Sequence, residues 1–415
     1  MRKSFAICIA TLLAAKSAFA VSIYDYHAAG VTDLGTLDGG TDSAAYGIND
    51  LGDVVGWATA SDGKHQAMIY TGGTMYSLHD ASVPFYSAKA YAINNQRMVV
   101  GDYRLPPTGN RTKAFYYYPG IWLTPMHSNP MPWLSYSWDA SAYSINGLNT
   151  IVGLAYRRSM PGDPPVPVAP VACYDALPVM WSNTGVIPDP LYCIADPDLD
   201  TYSDGGRGVA SWDINNSGNI VGTDAVTSTH GMFFYNSSTS TRYSVPPIAG
   251  FPTTLSNGIA MSGYALGVND SNRVVGGYGY EKNPNSAVPA ASIRAFYWNG
   301  VSSKSIDLGF LGGGENSLAR KINNGNFVVG YSEREYYGIH THAAFIWHAH
   351  FGMKQLPALS FTGVPPELTP RECEAYALSE LRAGIIRVAG YCYNSSGDQR
   401  AVRWDVKIGT TDLVL

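Results

Sequence analysis

One string of about a dozen residues returns seven times along this chain, and that recurrence constrains the fold more than any other feature. It is fullest as Ala45-Tyr-Gly-Ile-Asn-Asp-Leu-Gly-Asp-Val-Val-Gly56 and as Ala90-Tyr-Ala-Ile-Asn-Asn-Gln-Arg-Met-Val-Val-Gly101. Later copies run from Ala142 to Gly153, Ser211 to Gly222, Ala265 to Gly276 and Ala319 to Gly330; a decayed seventh begins at Ala375 and ends at Gly390. The repeat-defining polar positions are Asn49, Asn94, Asn146, Asn215, Asn269 and Asn323, with Ser379 in the seventh. Each copy reads as a β-hairpin: alternation up to the Asn, a polar turn such as Asp50-Leu51-Gly52-Asp53, then Val-Val-Gly opening a second strand. Apolar spacing of two and the abundance of β-branched residues argue against helix. The Gly after the apolar pair (Gly56, Gly101, Gly153, Gly222, Gly276, Gly330) is expected at a bulge or where a Cβ would clash.

A third strand follows each hairpin, for example Gln66–Tyr70, Lys113–Tyr117, Arg294–Trp298 and Arg400–Trp404, most ending in a large aromatic. A weaker fourth follows, such as Thr74–Leu78 or Ser305–Leu308. Four strands per unit is the make-up of a propeller blade. The Asn positions lie 45 to 69 residues apart, wider than a WD-type repeat and close to kelch spacing. The expectation is an all-β propeller of seven four-stranded blades, with six or eight as neighbouring counts. A β-solenoid is the rival architecture, disfavoured because its coils are shorter and need no four-strand hairpin pattern. The domain is read as 21–415, with insertions in the third unit at about 157–175 and 194–207.

Closure has a candidate device. Asp33-Leu-Gly-Thr-Leu37 matches Asp307-Leu-Gly-Phe-Leu311, and each Asp lies 16 residues before its Asn. The N-terminal piece thus resembles a fourth strand without a first three. Paired with the last blade, it would remove both open edges of the ring. A segment at Thr411–Leu415 competes for the same place, so the sequence leaves the scheme open.

Residues 1–20 have the order of a secretory signal: Arg2 and Lys3, an apolar run from Phe5 to Ala15, and Ala18-Phe19-Ala20 for cleavage. No later stretch is long enough to anchor the chain in a membrane. Cleavage would remove Cys8 and leave Cys173, Cys193, Cys373 and Cys392, an even number suited to an oxidising compartment. Of three possible connectivities the repeat map favours Cys173–Cys193 and Cys373–Cys392, with no CxxC spacing for a metal reading. A net charge of −5 without a basic block argues against nucleic acid or an anionic bilayer as partner.

At these residues the chain resembles the HAF-repeat family of bacterial extracellular proteins. The features that carry the resemblance are the Asp33-Leu-Gly-Thr-Leu37 opening, the Ala45–Gly56 core and the Arg294-Ala-Phe-Tyr-Trp298 strand. It covers nearly all of the chain after the leader, with departures at Pro178, Gly231 and Ser379. The family is one of unknown activity, so the resemblance implies location and repeat fold and supplies no catalytic residues.

Candidate chemistry is sparse. His340 and His342 share one face of an extended strand and so could meet one metal ion; His348 and His350 form a second such pair. The alternative is strand entry for His342 and exposed turns for the rest. Asp213-Ile-Asn-Asn-Ser-Gly-Asn219 resembles a calcium loop, yet the same register in the other copies is the hairpin itself, so a turn is the preferred explanation. Asp198/Asp200 and Glu333/Glu335 read as solvated loop pairs, and no nucleophile elbow, zinc-protease motif, phosphate loop or dinucleotide fingerprint is present. The excess of Tyr and Trp reads first as packing between blades and second as a sugar-stacking surface. No cofactor is expected. The leading expectation is a secreted or periplasmic, non-enzymatic binding propeller for glycan or protein. Its rivals are an exported propeller enzyme acting on polysaccharide or peptidoglycan at the central channel, and a structural surface component. Three or more carboxylates or His converging at a channel mouth would favour the enzyme, and an aromatic rim would favour binding.

Overall fold

The computed structural model describes residues 20–79, 86–104, 112–118, 121–125, 138–157, 176–181, 210–223, 231–254, 263–281, 291–336, 339–360 and 372–414. The signal segment, most of both insertions, and Cys173 and Cys193 lie outside the described residues. What is described forms seven antiparallel sheets, six of four strands and one with three described strands. No helix occurs among the described residues, so none is long and apolar enough to cross a membrane.

Each sheet is one repeat. Blade 1 contains Ser43–Ile48, Val54–Thr59, His65–Thr71 and Thr74–Ser77 in that spatial order, innermost first. The innermost strands of blades 2 to 7 are Ser87–Ile93, Trp138–Ile145, Ala210–Ile214, Gly263–Val268, Ser317–Ile322 and Cys373–Leu378. Each packs against the innermost strand of the next blade, and the seventh packs against the first. The circuit is closed: the chain is a seven-bladed β-propeller.

Closure uses the N-terminal strand. Ala20–Asp33 pairs antiparallel with Gln399–Val414 and is the outermost strand of blade 7. Thr411 to Val414 continue the third strand of that blade and pair with Ala20 to Ile23, so they are not a separate fourth strand. Blade 7 is further tied by the predicted disulfide between Cys373 and Cys392, which face each other on its first two strands.

The recurrent Gly earns its place by a steric argument. A Cβ on Gly56, Gly101, Gly153, Gly222, Gly276 or Gly330 would overlap a carbonyl oxygen of the innermost strand, and Gly390 repeats this in blade 7. From the third strand, Phe115, Phe233, Phe296 and Phe345 lie opposite four of these glycines, and Met68 opposite a fifth. All five are buried, each contributing roughly 1.5–3 kcal/mol of apolar transfer. Cores form between neighbouring blades as well as within them. Val55 and Ile69 of blade 1 join Ala88, Val99 and Phe115 of blade 2, while Ala45, Val54 and Met68 join Ala377, Ala389 and Ala401 across the closure.

The candidate functional site: two levels of the propeller axis

The repeat Asn residues make a girdle around the axis. Each Oδ1 accepts the N–H group four residues ahead, and Asn49, Asn94, Asn146 and Asn269 also accept the one two ahead, as Asn269 does from Ser271 (3.1 Å) and Arg273 (2.9 Å). These bonds shape a turn whose fourth residue is left-handed: Gly52 (φ 87°), Arg97 (63°), Asn149 (63°), Gly218 (78°), Asn272 (59°) and Asn326 (63°). Gly and Asn tolerate that region best. The Nδ2 group then reaches the carbonyl of the equivalent residue in the next blade. Asn49 donates to Asn94 (3.2 Å), Asn94 to Asn146 (3.1 Å), Asn146 to Asn215 (3.0 Å), Asn215 to Asn269 (2.9 Å), Asn269 to Asn323 (3.0 Å) and Asn323 to Ser379 (2.9 Å). One buried side chain thus folds its own turn and fastens the neighbouring blade.

A second ring lies beside the first, at the residue following each Asn. The Asp50 N–H donates to Asn95, Gly147 to Asn216, Asn216 to Asp270, Asp270 to Asn324, Asn324 to Glu380, and Glu380 to Asp50. This last bond (2.8 Å), with the Arg382–Asp50 pair (2.9 Å), bridges the seam where Ser379 is too short to donate onward. Three carboxylates therefore converge at this end. Asp50 and Asp270 each accept bonds at both oxygens, and Glu380 accepts from Asn324.

Inward along the axis, a polar cross-tie spans the ring. The buried Asp213 of blade 4 accepts from Ser144 of blade 3 (2.7 Å), from the Val268 N–H of blade 5 (2.9 Å) and from Lys321 of blade 6. The apparent calcium-loop Asp is thus an anchor between blades.

Next comes a collar. All seven innermost strands carry a β-bulge at the same place, three residues before the key position. The bulge turns one side chain out of the pleat, and the residues so placed are Tyr46, Tyr91, Tyr143, Trp212, Leu266, Arg320 and Tyr376. Five are aromatic and they touch in sequence around the axis. Ring centroids are 4.8 Å apart for Tyr143–Trp212, 5.4 Å for Tyr91–Tyr143, 5.7 Å for Tyr46–Tyr91 and 4.9 Å for Tyr46–Tyr376. The Arg320 guanidinium then stacks on Tyr376 at 4.1 Å. Polar tips bond to the residue after the repeat Gly: Trp57 Nε1 donates to the Tyr46 hydroxyl (3.0 Å), Tyr91 to Asp102 (3.2 Å) and Trp212 to Thr223 (3.0 Å). The collar column is legible in five copies as Tyr or Trp three places before the key residue. These aromatics pack blade to blade at the axis, while third-strand Phe side chains fill the cores.

Glu374 is the electrostatic hub beside the collar. It accepts from Arg320 (2.7 Å) and His342 (2.8 Å). Burial pushes its carboxyl up, but those two partners outweigh it and hold the group at about 2. His342 stacks on Tyr331 (4.1 Å), and the bond to Glu374 raises its pKa. Burial raises the phenols of Tyr46, Tyr91 and Tyr376, the reverse of what a tyrosine nucleophile needs. Burial also raises Asp102, against the donors Ser141 and Tyr91.

The predicted histidine pairs fare differently. His342 faces Glu372 (3.7 Å) and Glu374, whereas His340 is exposed and outside that trio. Glu333 bonds to Asn316, and Glu335 lies opposite His340 on the neighbouring strand. His348 and His350 serve the closure: His348 stacks on Phe327 (4.5 Å), and His350 Nδ1 accepts the Tyr24 N–H (2.8 Å). Asp198 and Asp200 lie outside the described residues.

No family model and no curated protein matches this chain. Among solved structures, it is similar to a protein of unknown function from Dyadobacter fermentans, at 12% identity and a TM-score of 0.39, covering 93% of this chain and 99% of that one. It is also similar to Trypanosoma rangeli sialidase in complex with 2,3-difluorosialic acid, at 9% identity and 0.35, covering 81% of this chain and 55% of that one.

Proposed function

We propose that this protein is an exported, non-enzymatic binding propeller of the HAF-repeat kind, and that its ligand is a glycan held at the axial collar. The observation that carries this reading is the unbroken run Trp212–Tyr143–Tyr91–Tyr46–Tyr376 with Arg320 beside it. Aromatic faces take the C–H face of a sugar ring, and the hydroxyl, indole and guanidinium edges beside them meet its hydroxyls. A disulfide in blade 7 is compatible with an oxidising compartment. Protein ligands and a purely structural surface role are the competing binding-class readings.

The test is a glycan array followed by titration of the hits against the intact protein and Trp212→Ala. A collar site predicts saturable binding that quenches tryptophan emission and is weakened at least about tenfold in the variant. Binding that Trp212→Ala leaves unchanged would move the site elsewhere, and a blank array would leave protein partners.

One observation favours an enzyme instead. Asp50, Asp270 and Glu380 converge at the hairpin end of the axis, and clustered carboxylates are what glycoside hydrolysis uses. Polysaccharide or peptidoglycan breakdown by the wild type, lost in Glu380→Gln, would replace the binding reading with this one.

A further inference from the structure

We propose that His342, Glu372 and Glu374 form a site for one divalent transition-metal ion, with Zn²⁺ the first choice. The inference is independent of the glycan reading, because it rests on residues of the seam between blades 6 and 7. His342 is on the third strand of blade 6 (Ile339–His348), Glu374 on the innermost strand of blade 7, and Glu372 immediately before it. Neighbouring blades thus supply ligands, and the packing of blade 7 on blade 6 is what brings them together.

The donor geometry suits a small ion. His342 Nδ1 is 2.8 Å from Glu374 Oε1 and 3.7 Å from Glu372 Oε1, and the three donor atoms all lie within 4.8 Å of one another. Ligands on a four-coordinate Zn²⁺ at about 2.1 Å stand roughly 3.4 Å apart, so His342 and Glu374 would open by about 0.6 Å and the two carboxylates would close by at most about 1.4 Å to seat the ion. One imidazole and two carboxylates favour Zn²⁺ or Mn²⁺ over Ca²⁺, which wants six to eight oxygens.

What surrounds the trio resembles the outer shell that metal ligands require. Arg320 holds the far oxygen of Glu374 (2.7 Å), leaving Oε1 turned toward His342. Tyr331 fixes the imidazole plane by stacking at 4.1 Å. On the open side, the side chains of Glu372 and His342 are 42% and 31% exposed. An ion there would keep a coordination position for water or for an oxygen of a bound molecule.

The bland competitor is an ion pair that merely fastens blade 6 to blade 7. His342, Glu374 and Arg320 make that contact without Glu372, whose role separates the two readings. The experiment is calorimetric titration of untagged full-length protein with ZnCl₂, beside Glu372→Gln, His342→Gln and His340→Ala, with the melting temperature of each metal-free protein. A metal site predicts one saturable site per chain in the wild type and in His340→Ala. It also predicts at least about tenfold weaker binding in Glu372→Gln with an unchanged metal-free melting temperature, and loss of binding in His342→Gln. Absence of saturable uptake in the wild type, or equal affinity in Glu372→Gln, would overturn the site and leave the ion pair.

Discussion

Two levels of the axis, one at the hairpin turns and one at the bulges three residues earlier, are built on the same seven strands and behave oppositely. At the hairpin end, six blades place the same Asn in the same turn, and the polar groups there bond around the ring. Three residues earlier, every blade has the same bulge but fills it differently, with Tyr, Trp, Leu or Arg. Repetition of a side chain marks the place where geometry leaves one solution: only Asn can both accept from its own turn and donate across the seam. Repetition of a backbone position with varied side chains marks a place where the frame sets the position and leaves the side chain free to vary. The carboxylates at the hairpin end are already engaged by backbone N–H and amide donors, which is why they carry less chemistry than their number suggests.

The largest effect should come from breaking the hairpin end. Asn269→Ala removes the one oxygen that accepts two turn-closing N–H groups and the donor to Asn323 and Asn326, leaving buried polar groups unmatched. At roughly 1 kcal/mol net for each bond, the loss should be about 3–4 kcal/mol by chemical denaturation. A loss under about 1 kcal/mol would mean that the girdle only accompanies the turn.

Close behind is the seam. Cys373→Ser with Cys392→Ser opens a covalent loop of sequence separation 19, which the chain-entropy account puts at about 3 kcal/mol. The seventh hairpin shows why the seam needs the tie. Its Ser379 N–H bonds Arg387 O across a turn longer than in the other blades, where Asn269 bonds Arg273 O. Ser379 cannot reach the first blade as an Asn does, so Asp50 receives Glu380 and Arg382 instead. A melting temperature unchanged by the double substitution would show that strand pairing alone secures blade 7.

Much of this was legible beforehand, for a physical reason. Period-two alternation, a left-handed turn residue and a Gly under a carbonyl are local demands, so each leaves a mark at a fixed offset in every copy. The seven-blade count and the third-strand segments followed from those marks; the closing scheme did not, because two terminal segments competed for the outer edge of blade 7, which Ala20–Asp33 takes. What the girdle Asn does between blades did not, because its acceptor lies 45 to 69 residues away. Nor did the pairing of His342 with Glu374: two histidines on one strand suggested a local pair, whereas the fold answers His342 from the next blade.

The closing strand should respond to acid before the girdle does. Burial, helped by the neighbouring His350, lowers His348 from 6.5 to about 4. The unfolded chain therefore takes up this proton first, so its contribution is full above pH 6.5 and falls away as pH drops toward 4. His342 runs the other way, since Glu374 raises it in the folded state; its contribution is present below 6.5 and is lost as pH rises through its folded value. His348→Phe keeps the stack on Phe327 and Tyr24 without a titrating ring. Between pH 6.5 and 4.5 the variant should lose less melting temperature than the wild type. Parallel curves would place the acid sensitivity elsewhere.

The smallest stability change should come from the collar, and there the contrast between the two levels is sharpest. Blade 5 already carries Leu266 at the bulge, with Ala265 and Gly267 in the same register as the flanks of Tyr143. The backbone therefore accepts a branched aliphatic side chain at that position, and Tyr143→Leu should fold normally. It gives up the stack on Trp212 and the edge contact with Tyr91, each worth roughly 0.5–1.5 kcal/mol beyond area, while the aliphatic group restores part of the buried surface. A net cost of about 1 kcal/mol is expected by denaturation. Glycan affinity, by contrast, should fall at least about tenfold, because the substitution cuts Trp212 off from the rest of the aromatic run. A variant that loses several kcal/mol while binding as before would reverse the assignment, making the bulge aromatics a second structural girdle and sending the search for the ligand away from the axis.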